Sequence, residues 1–475
     1  MSIVNNDKNL WVLLAARFRG RSGALIAAVA VLVLAGTLAM TRNGPPAAGL
    51  PEPVAGGADS ANAPGREVPA APPEAGDTAA AEAPAALEGD LFALPTIADG
   101  VARQPRPDVV RGLYLNAWAA GSTAKLERLI GVANRTEINA FVIDVKEGGE
   151  ISYRSSVPLA RAIGADQAYI GNVRGMLAKL RENGIYPIAR IVVFRDEKLA
   201  DARPDWSVRH VNGGEWKDGS GHAWVDSYNR DVWDYNIAIA REALELGFSE
   251  VQWDYVRFPD VPQALMRTAS WPAQAGRTKQ DAIREFLLYS REQLKQYDAP
   301  VTADVFGLTV SVRNDMGIGQ LWEKMVDATD VLLPMVYPSH FARGSYGIAH
   351  PNASPYETVK TAMEHAVRRT SGVANAATIR PWLQDFTLGQ PRYGPAHVRA
   401  QIQGAYDAGV QEWVLWHPGS NYTEAALASA DGTAPVFPSS ALSRPEPAAV
   451  TPRAPRGPVP LGTPVVRDTA GGLRN

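Results

Sequence analysis

From residue 111 to about residue 423 the chain alternates short apolar runs with longer amphipathic segments. The runs fall at 113–118, 140–146, 186–194, 251–258, 300–306, 330–337, 379–386 and 412–417. Each is rich in β-branched and aromatic residues, as strands buried on both faces should be. Between them lie helical periods. Val173, Met176, Leu177 and Leu180 form one stripe, with Asn172 as N-cap and Gly184 just past its end. Val232, Ile237, Ala240 and Leu244 form another, stopping at Gly247, and Ile283, Phe286, Leu287 and Leu294 a third. Val398, Ile402, Ala405 and Tyr406 make a fourth, ended by Gly409. Eight strands alternating with helices predict parallel pairing through right-handed crossovers, hence an α/β fold of (β/α)8 TIM-barrel type. A doubly wound open sheet would use the same alternation. It lacks its usual signature, because Asn116, Ala117, Trp118 and Ala119 follow the first run instead of a glycine-rich phosphate loop.

The flanks follow a different pattern. Residues 42–90 and 431–475 are dominated by Ala, Pro, Gly and small polar residues, which cannot bury enough apolar surface to offset the entropy of ordering. They are expected to be a disordered linker and tail around a barrel at 91–430. Ahead of the linker, residues 22–41 carry no charge and are mostly Ala, Val and Leu, about the length of a bilayer-spanning helix. Arg17, Arg19 and Arg21 precede this run, so residues 1–21 are expected to stay in the cytoplasm. The expectation is a single-pass signal-anchor in the inner membrane, with the barrel on the periplasmic, extracytoplasmic side. A cleaved signal peptide and secretion are the alternative, although Leu38, Ala39 and Met40 match a cleavage site poorly.

Composition excludes several chemistries. With 47 basic and 50 acidic residues the net charge is −3, and no concentrated basic patch suggests a nucleic-acid partner. The chain has no Cys, which removes disulfides, Cys-ligated zinc and a catalytic thiol. Its seven His form no H-x-H after the first strand and no H-E-x-x-H, and no G-x-S-x-G elbow occurs. No metal or cofactor is expected.

In a barrel the site lies at the carboxyl ends of the strands. The second strand ends on Asp144 and Lys146, the fourth on Asp254 with Arg257 beyond it, the fifth on Asp304, the seventh on Trp382, Gln384 and Asp385, and the eighth on His417. Alternation places Gln252 with Asp254 inside the barrel, Asp144 with Lys146, and Thr302 with Asp304. Gln384 and Asp385 cannot both point inward, which makes Asp385 the weaker candidate. Charged residues among strand-core apolars are costly to bury unless paired or used. Glycoside hydrolysis needs two carboxyl groups across the scissile bond, one protonated and one ionised. Asp254 and Asp304, on adjacent strands, could supply them, with Lys146 or Arg257 as the cation beside Asp254; Arg257 could equally form only a rim salt bridge. Trp206, Trp216 and Trp224 lie in a long glycine-containing loop after the third strand, where they could stack on sugar rings or form the loop's own core.

Five segments carry a family resemblance: FVIDVK at 141–146, VQWDYVRFP at 251–259, LPMVYPSH at 333–340, RPWLQDF at 380–386 and WVLWH at 413–417. In sequence and order they resemble the uncharacterised glycoside-hydrolase-type (β/α)8-barrel family of unknown function, across nearly the whole of 111–423. The resemblance implies a carbohydrate-active barrel of the glycosidase superfamily. Members often carry a further Asp after the acid that follows the second strand, whereas here Glu147 is followed by Gly148 and Gly149. The reading is a glycoside hydrolase, retaining by expectation, acting on an envelope or extracellular polysaccharide, with Asp254 as nucleophile and Asp304 as general acid. Asp144, Lys146, Arg257, Gln384, Asp385, Trp382, His417, Trp224 and Tyr337 are the substrate-binding candidates. A non-catalytic glycan-binding barrel on a membrane tether and a metal-dependent polysaccharide deacetylase are the alternatives.

Overall fold

The computed structural model describes residues 90–93, 102–438 and Leu442. The expected cytoplasmic segment at 1–21, the membrane segment at 22–41, nearly all of the linker and most of the tail lie outside the described residues. No described helix is long and apolar enough to cross a membrane.

Eight parallel strands form a closed barrel: β1 (Arg111–Leu115), β2 (Ala140–Glu147), β3 (Tyr186–Val192), β4 (Glu250–Asp254), β5 (Val301–Phe306), β6 (Val331–Met335), β7 (Trp382–Gln384) and β8 (Trp413–Trp416). Each pairs with its sequence neighbours, and β1 pairs with both β2 and β8, which closes the cylinder. Closure removes the exposed edges an open sheet would leave. All eight expected runs therefore become strands, and the doubly wound alternative is excluded.

The runs end earlier than the apolar pattern suggests, for local reasons. Tyr255 takes a left-handed φ of 51° that stops β4. Asn116 accepts from the Ala119 amide and starts a short helix after β1. Pro381, which has no amide hydrogen, separates the bridge at Thr378–Ile379 from β7.

Outside the barrel lie α1 (Thr123–Arg135), α2 (Val173–Glu182), α3 (Arg230–Leu246), α4 (Lys279–Leu294), α5 (Trp322–Met325), α6 (Pro355–Thr370) and α7 (Pro395–Asp407). The four expected helical stripes are α2, α3, α4 and α7. Asn172 caps α2 by accepting from the Gly175 amide, and Gly247 ends α3 at a φ of 121°. The crossover after β5 is a single turn, and after β8 the one-turn Glu424–Ala426 stands where an eighth helix would. The chain beyond it folds back across α1, with the Ala430 amide donating to the Arg135 carbonyl.

Strand parity sorts the core into two layers. Trp253 of β4 faces outward, packs on Phe286 of α4 and donates to Ser290. Tyr114, Val142, Ile188, Leu333, Trp382 and Val414 fill the barrel interior. At the amino-terminal end of the strands Arg380 is fully buried, donating to Glu250 and Glu412, and Arg106 reaches Glu412 from the preceding segment. These charges close the base of the barrel and leave the opposite end for chemistry.

Candidate active site

Arg190, in the middle of β3, organises the carboxyl end of the barrel. Its register partners are Asp144 on β2 and Gln252 on β4, so it shares their inward parity and reaches Asp144 on one side and Asp254 on the other. It donates from Nη1 to Asp144 at 2.5 Å and to Glu147 at 2.7 Å, and from Nη2 and Nε to the same Asp254 oxygen at 2.5 and 3.0 Å. The other Asp254 oxygen accepts from the Tyr255 amide at 2.6 Å. The left-handed Tyr255 turns that amide back onto the carboxylate, and a strained non-glycine residue of this kind costs about 1–3 kcal/mol. Arg195 extends the network, donating to Glu147 at 2.5 Å and to the Tyr255 hydroxyl at 2.7 Å.

The four carboxyl groups sit in different surroundings. Burial pushes Asp144 up to about 6, against the opposing pull of Arg190, and it also accepts from the Tyr114 hydroxyl at 2.5 Å. Burial acts on Glu147 as well, but the two guanidinium groups outweigh it and hold that carboxyl below its ordinary value. Asp304 is pushed well above its ordinary value, by burial first and by the charge of Asp254 second. It accepts from Gln252 at 2.9 and 3.1 Å and from the Trp382 indole at 2.6 Å. Burial thus disfavours the charged form of Asp304 while Asp254 is ion-paired with Arg190, so two nearby carboxyl groups sit in opposed environments.

Aromatic rings roof the acids. Trp416 at the end of β8 lies 5.6 Å from Tyr337, 5.1 Å from Phe386 and 6.2 Å from Tyr114 between ring centres. Trp416 and Phe386 are half-buried, which leaves part of each ring exposed at the mouth.

The structure brings together Asp144, Asp254, Asp304, Trp382 and Tyr337, and moves several other candidates elsewhere. Lys146 does not share the orientation of Asp144. A bulge between them shifts the register, and Lys146 points out toward α3, pairing with Asp196 at 2.6 Å and donating to Asn236 at 2.8 Å. The cation beside Asp254 is Arg190, in place of Lys146 or Arg257. Arg257 forms no salt bridge among the described residues; its guanidinium lies over Trp224, Tyr255 and Phe306. Trp224 is no stacking platform, since it is buried and its indole donates to Asp218. Trp206 and Trp216 are buried as well, so the loop's aromatics form its own core.

Asp385 ties the end of β7 to the segment after β8, accepting from the Thr423 amide and hydroxyl. Both ends of the Gln384 amide are used, by the Ser339 amide and the Phe386 carbonyl. His417 lies in the turn after β8, where it accepts from the Gly419 amide and burial drops it to about 4. Among the described residues no three His, Asp or Glu side chains are arranged to hold a metal ion.

Arg190, Glu147 and Trp416 are the site residues the sequence reading missed. Arg190 and Trp416 were visible as inward-parity positions on their strands. Nothing in the sequence marks the bulge that turns Glu147 inward.

Among solved structures, a hypothetical protein from Ruminiclostridium thermocellum is 42% identical, with 41% of this chain and 97% of that one covered and a TM-score of 0.38. The PgaB (BpsB) glycoside hydrolase domain from Bordetella bronchiseptica is 14% identical over 67% of this chain and 99% of its own, with a TM-score of 0.50, a likeness of fold. The glycoside hydrolase domain of PelA from Pseudomonas aeruginosa is 11% identical over 67% and 97%, with a TM-score of 0.39. No curated protein matches the chain. Residues 112–422 match one family across essentially the whole barrel, and the chain belongs to it: the "Putative glycosyl hydrolase domain" family.

Proposed function

We propose that this barrel hydrolyses a glycosidic bond in an envelope or extracellular polysaccharide, with Asp254 as the ionised carboxylate and Asp304 as the proton donor. The observation that carries the reading is the opposed setting of these two groups: Asp254 paired with Arg190, Asp304 buried against Gln252 and Trp382, where burial raises its pKa. Hydrolysis through an oxocarbenium-like transition state requires such a division between acid and base or nucleophile. Arg190 and Tyr255 would hold Asp254 in place, and Trp416 and Phe386 would receive a sugar face. Family membership and the barrel fold support the reaction class.

A tethered location fits this substrate. The apolar run at 22–41 would anchor the chain, and about fifty linker residues would let the barrel range tens of ångströms from the membrane, as random-coil scaling implies.

One observation favours the second reading, a glycan-binding barrel that does not cleave. Asp304 is only 1% exposed, and both its oxygens are engaged by barrel neighbours. The two readings separate when the full-length chain is incubated with envelope and extracellular polysaccharides and reducing ends are measured, with Asp254→Asn alongside. Hydrolysis predicts reducing ends that Asp254→Asn abolishes. Retention of a polysaccharide without cleavage by the native chain supports the binding reading.

A further inference from the structure

Five arginines are buried among the described residues: Arg190, Arg195, Arg257, Arg380 and Arg399. Four of them pair with carboxylates, Arg190 with Asp144, Glu147 and Asp254, Arg195 with Glu147, Arg380 with Glu250 and Glu412, and Arg399 with Glu137. Arg257 is the exception. It is 7% exposed, has no carboxylate within salt-bridge reach among the described residues, and its hydrogen bond runs from Nη1 to the neighbouring Phe258 carbonyl. A buried cation without a paired carboxylate is costly, and the more distant charges of Asp260 and Asp254 and the rings of Trp224, Tyr255 and Phe306, at 5.2, 4.8 and 4.7 Å, offset only part of that cost.

Its position is informative. Phe306 is the last residue of β5 and continues the inward parity of Thr302 and Asp304, so it stands at the mouth above Asp304. Tyr255 directly follows Asp254 at the end of β4. The Arg257 guanidinium over both rings therefore lies at the rim between the two strands that carry the proposed catalytic pair. The other cations of the mouth, Arg190 and Arg195, are already engaged by the resident acids.

We propose that the glycan taken by this site carries an anionic substituent, a carboxylate or a phosphate, which Arg257 binds at the rim between β4 and β5. The inference rests on the reading of the mouth as a glycan site and adds the charge class of the sugar. A planar guanidinium with free donors suits either oxyanion, binding it through paired hydrogen bonds.

The test is calorimetric titration of the full-length chain with glucuronate, glucose 6-phosphate and glucose. At least one acidic sugar is expected to bind roughly tenfold or more tighter than glucose, as a charge-assisted hydrogen bond would give. The preferred one identifies the anion. Arg257→Gln removes the preference and Arg257→Lys retains part of it, with thermal melting confirming that each variant is folded. If Arg257→Gln does not fold, the native protein's ranking of the three sugars still decides. Equal affinities for all three, or no binding of either acidic sugar, overturn the proposal. Preference without cleavage of any polysaccharide upholds this inference while removing hydrolysis, and cleavage of a neutral glycan without preference does the reverse.

Discussion

Replacing Arg190 with Gln removes the charge that three carboxyl groups share. The side chain is buried and makes four charge-assisted hydrogen bonds, two to Asp254 and one each to Asp144 and Glu147. Removing one partner of a buried ion network costs about 3–5 kcal/mol, because the remaining charges stay buried without compensation. The loss should depend on pH in a definite direction. Asp144 sits at about 6 in the folded protein, above its ordinary 3.8, through burial that Arg190 only partly opposes. A carboxyl raised on folding binds its proton more tightly in the folded state. Stability therefore falls as pH rises from about 4 to about 6, by about 3 kcal/mol for a gap of about two units.

Without Arg190 the upper edge of that window moves higher, so ionisation at about pH 7.5 costs the variant more than the native protein. Urea unfolding followed by tryptophan fluorescence measures the difference. Arg190→Gln is expected to lose about 3–5 kcal/mol at about pH 7.5, and at least ~1 kcal/mol less than that at about pH 5. A deficit equal at both pH values, or one under about 1 kcal/mol, would refute the electrostatic role assigned to Arg190.

Three further outcomes follow from the same geometry. Asp304→Asn removes a carboxyl whose ionisation burial disfavours, so its melting temperature at about pH 8 should equal or exceed that of the native protein while kcat/KM falls roughly 100- to 10,000-fold, as loss of a general acid implies. Arg380→Met leaves Glu250 without a counter-charge at the base of the barrel and Glu412 with Arg106 alone, and urea unfolding should show a loss of about 3–5 kcal/mol with no change in KM for the folded fraction. Trp416→Ala deletes a half-buried ring at the mouth, and calorimetry should show glycan affinity weakened roughly two- to tenfold with little change in melting temperature.

The barrel was legible because its strands are buried on both faces, which writes them as continuous apolar runs separated by helical periods. Parity was equally legible on β4, where Gln252 and Asp254 point in and Trp253 points out to α4. It failed on β2, because a bulge at Val145 inserts one residue without a glycine to announce it. That single insertion sends Lys146 outward to Asp196 and brings Glu147 onto Arg190 and Arg195. The chain then reverses through Gly148 and Gly149, at φ of 56° and 82°, and a side chain on Gly149 would meet an Asp196 carboxylate oxygen at 2.4 Å.

Arg190 differs, because its parity was legible but its place was not a strand end. It lies inside the apolar run of β3, where attention to strand ends passes over it, although its register with Asp144 gives it the same inward parity. The loop tryptophans could not be assigned from sequence, since stacking on sugar and packing within a loop call for the same residues; burial decides for packing.

The division of labour between Asp254 and Asp304 is tested most directly by leaving-group dependence. A nitrophenyl leaving group departs without protonation, whereas a sugar alcohol needs the general acid. For a polysaccharide cleaved by the full-length chain and the matching nitrophenyl glycoside, Asp304→Asn should lose roughly 100-fold or more on the polysaccharide and stay within about tenfold of native on the nitrophenyl substrate. Asp254→Asn should be inactive on both. Retained activity of Asp254→Asn on either substrate, or parallel losses for Asp304→Asn on the two, would contradict the assignment.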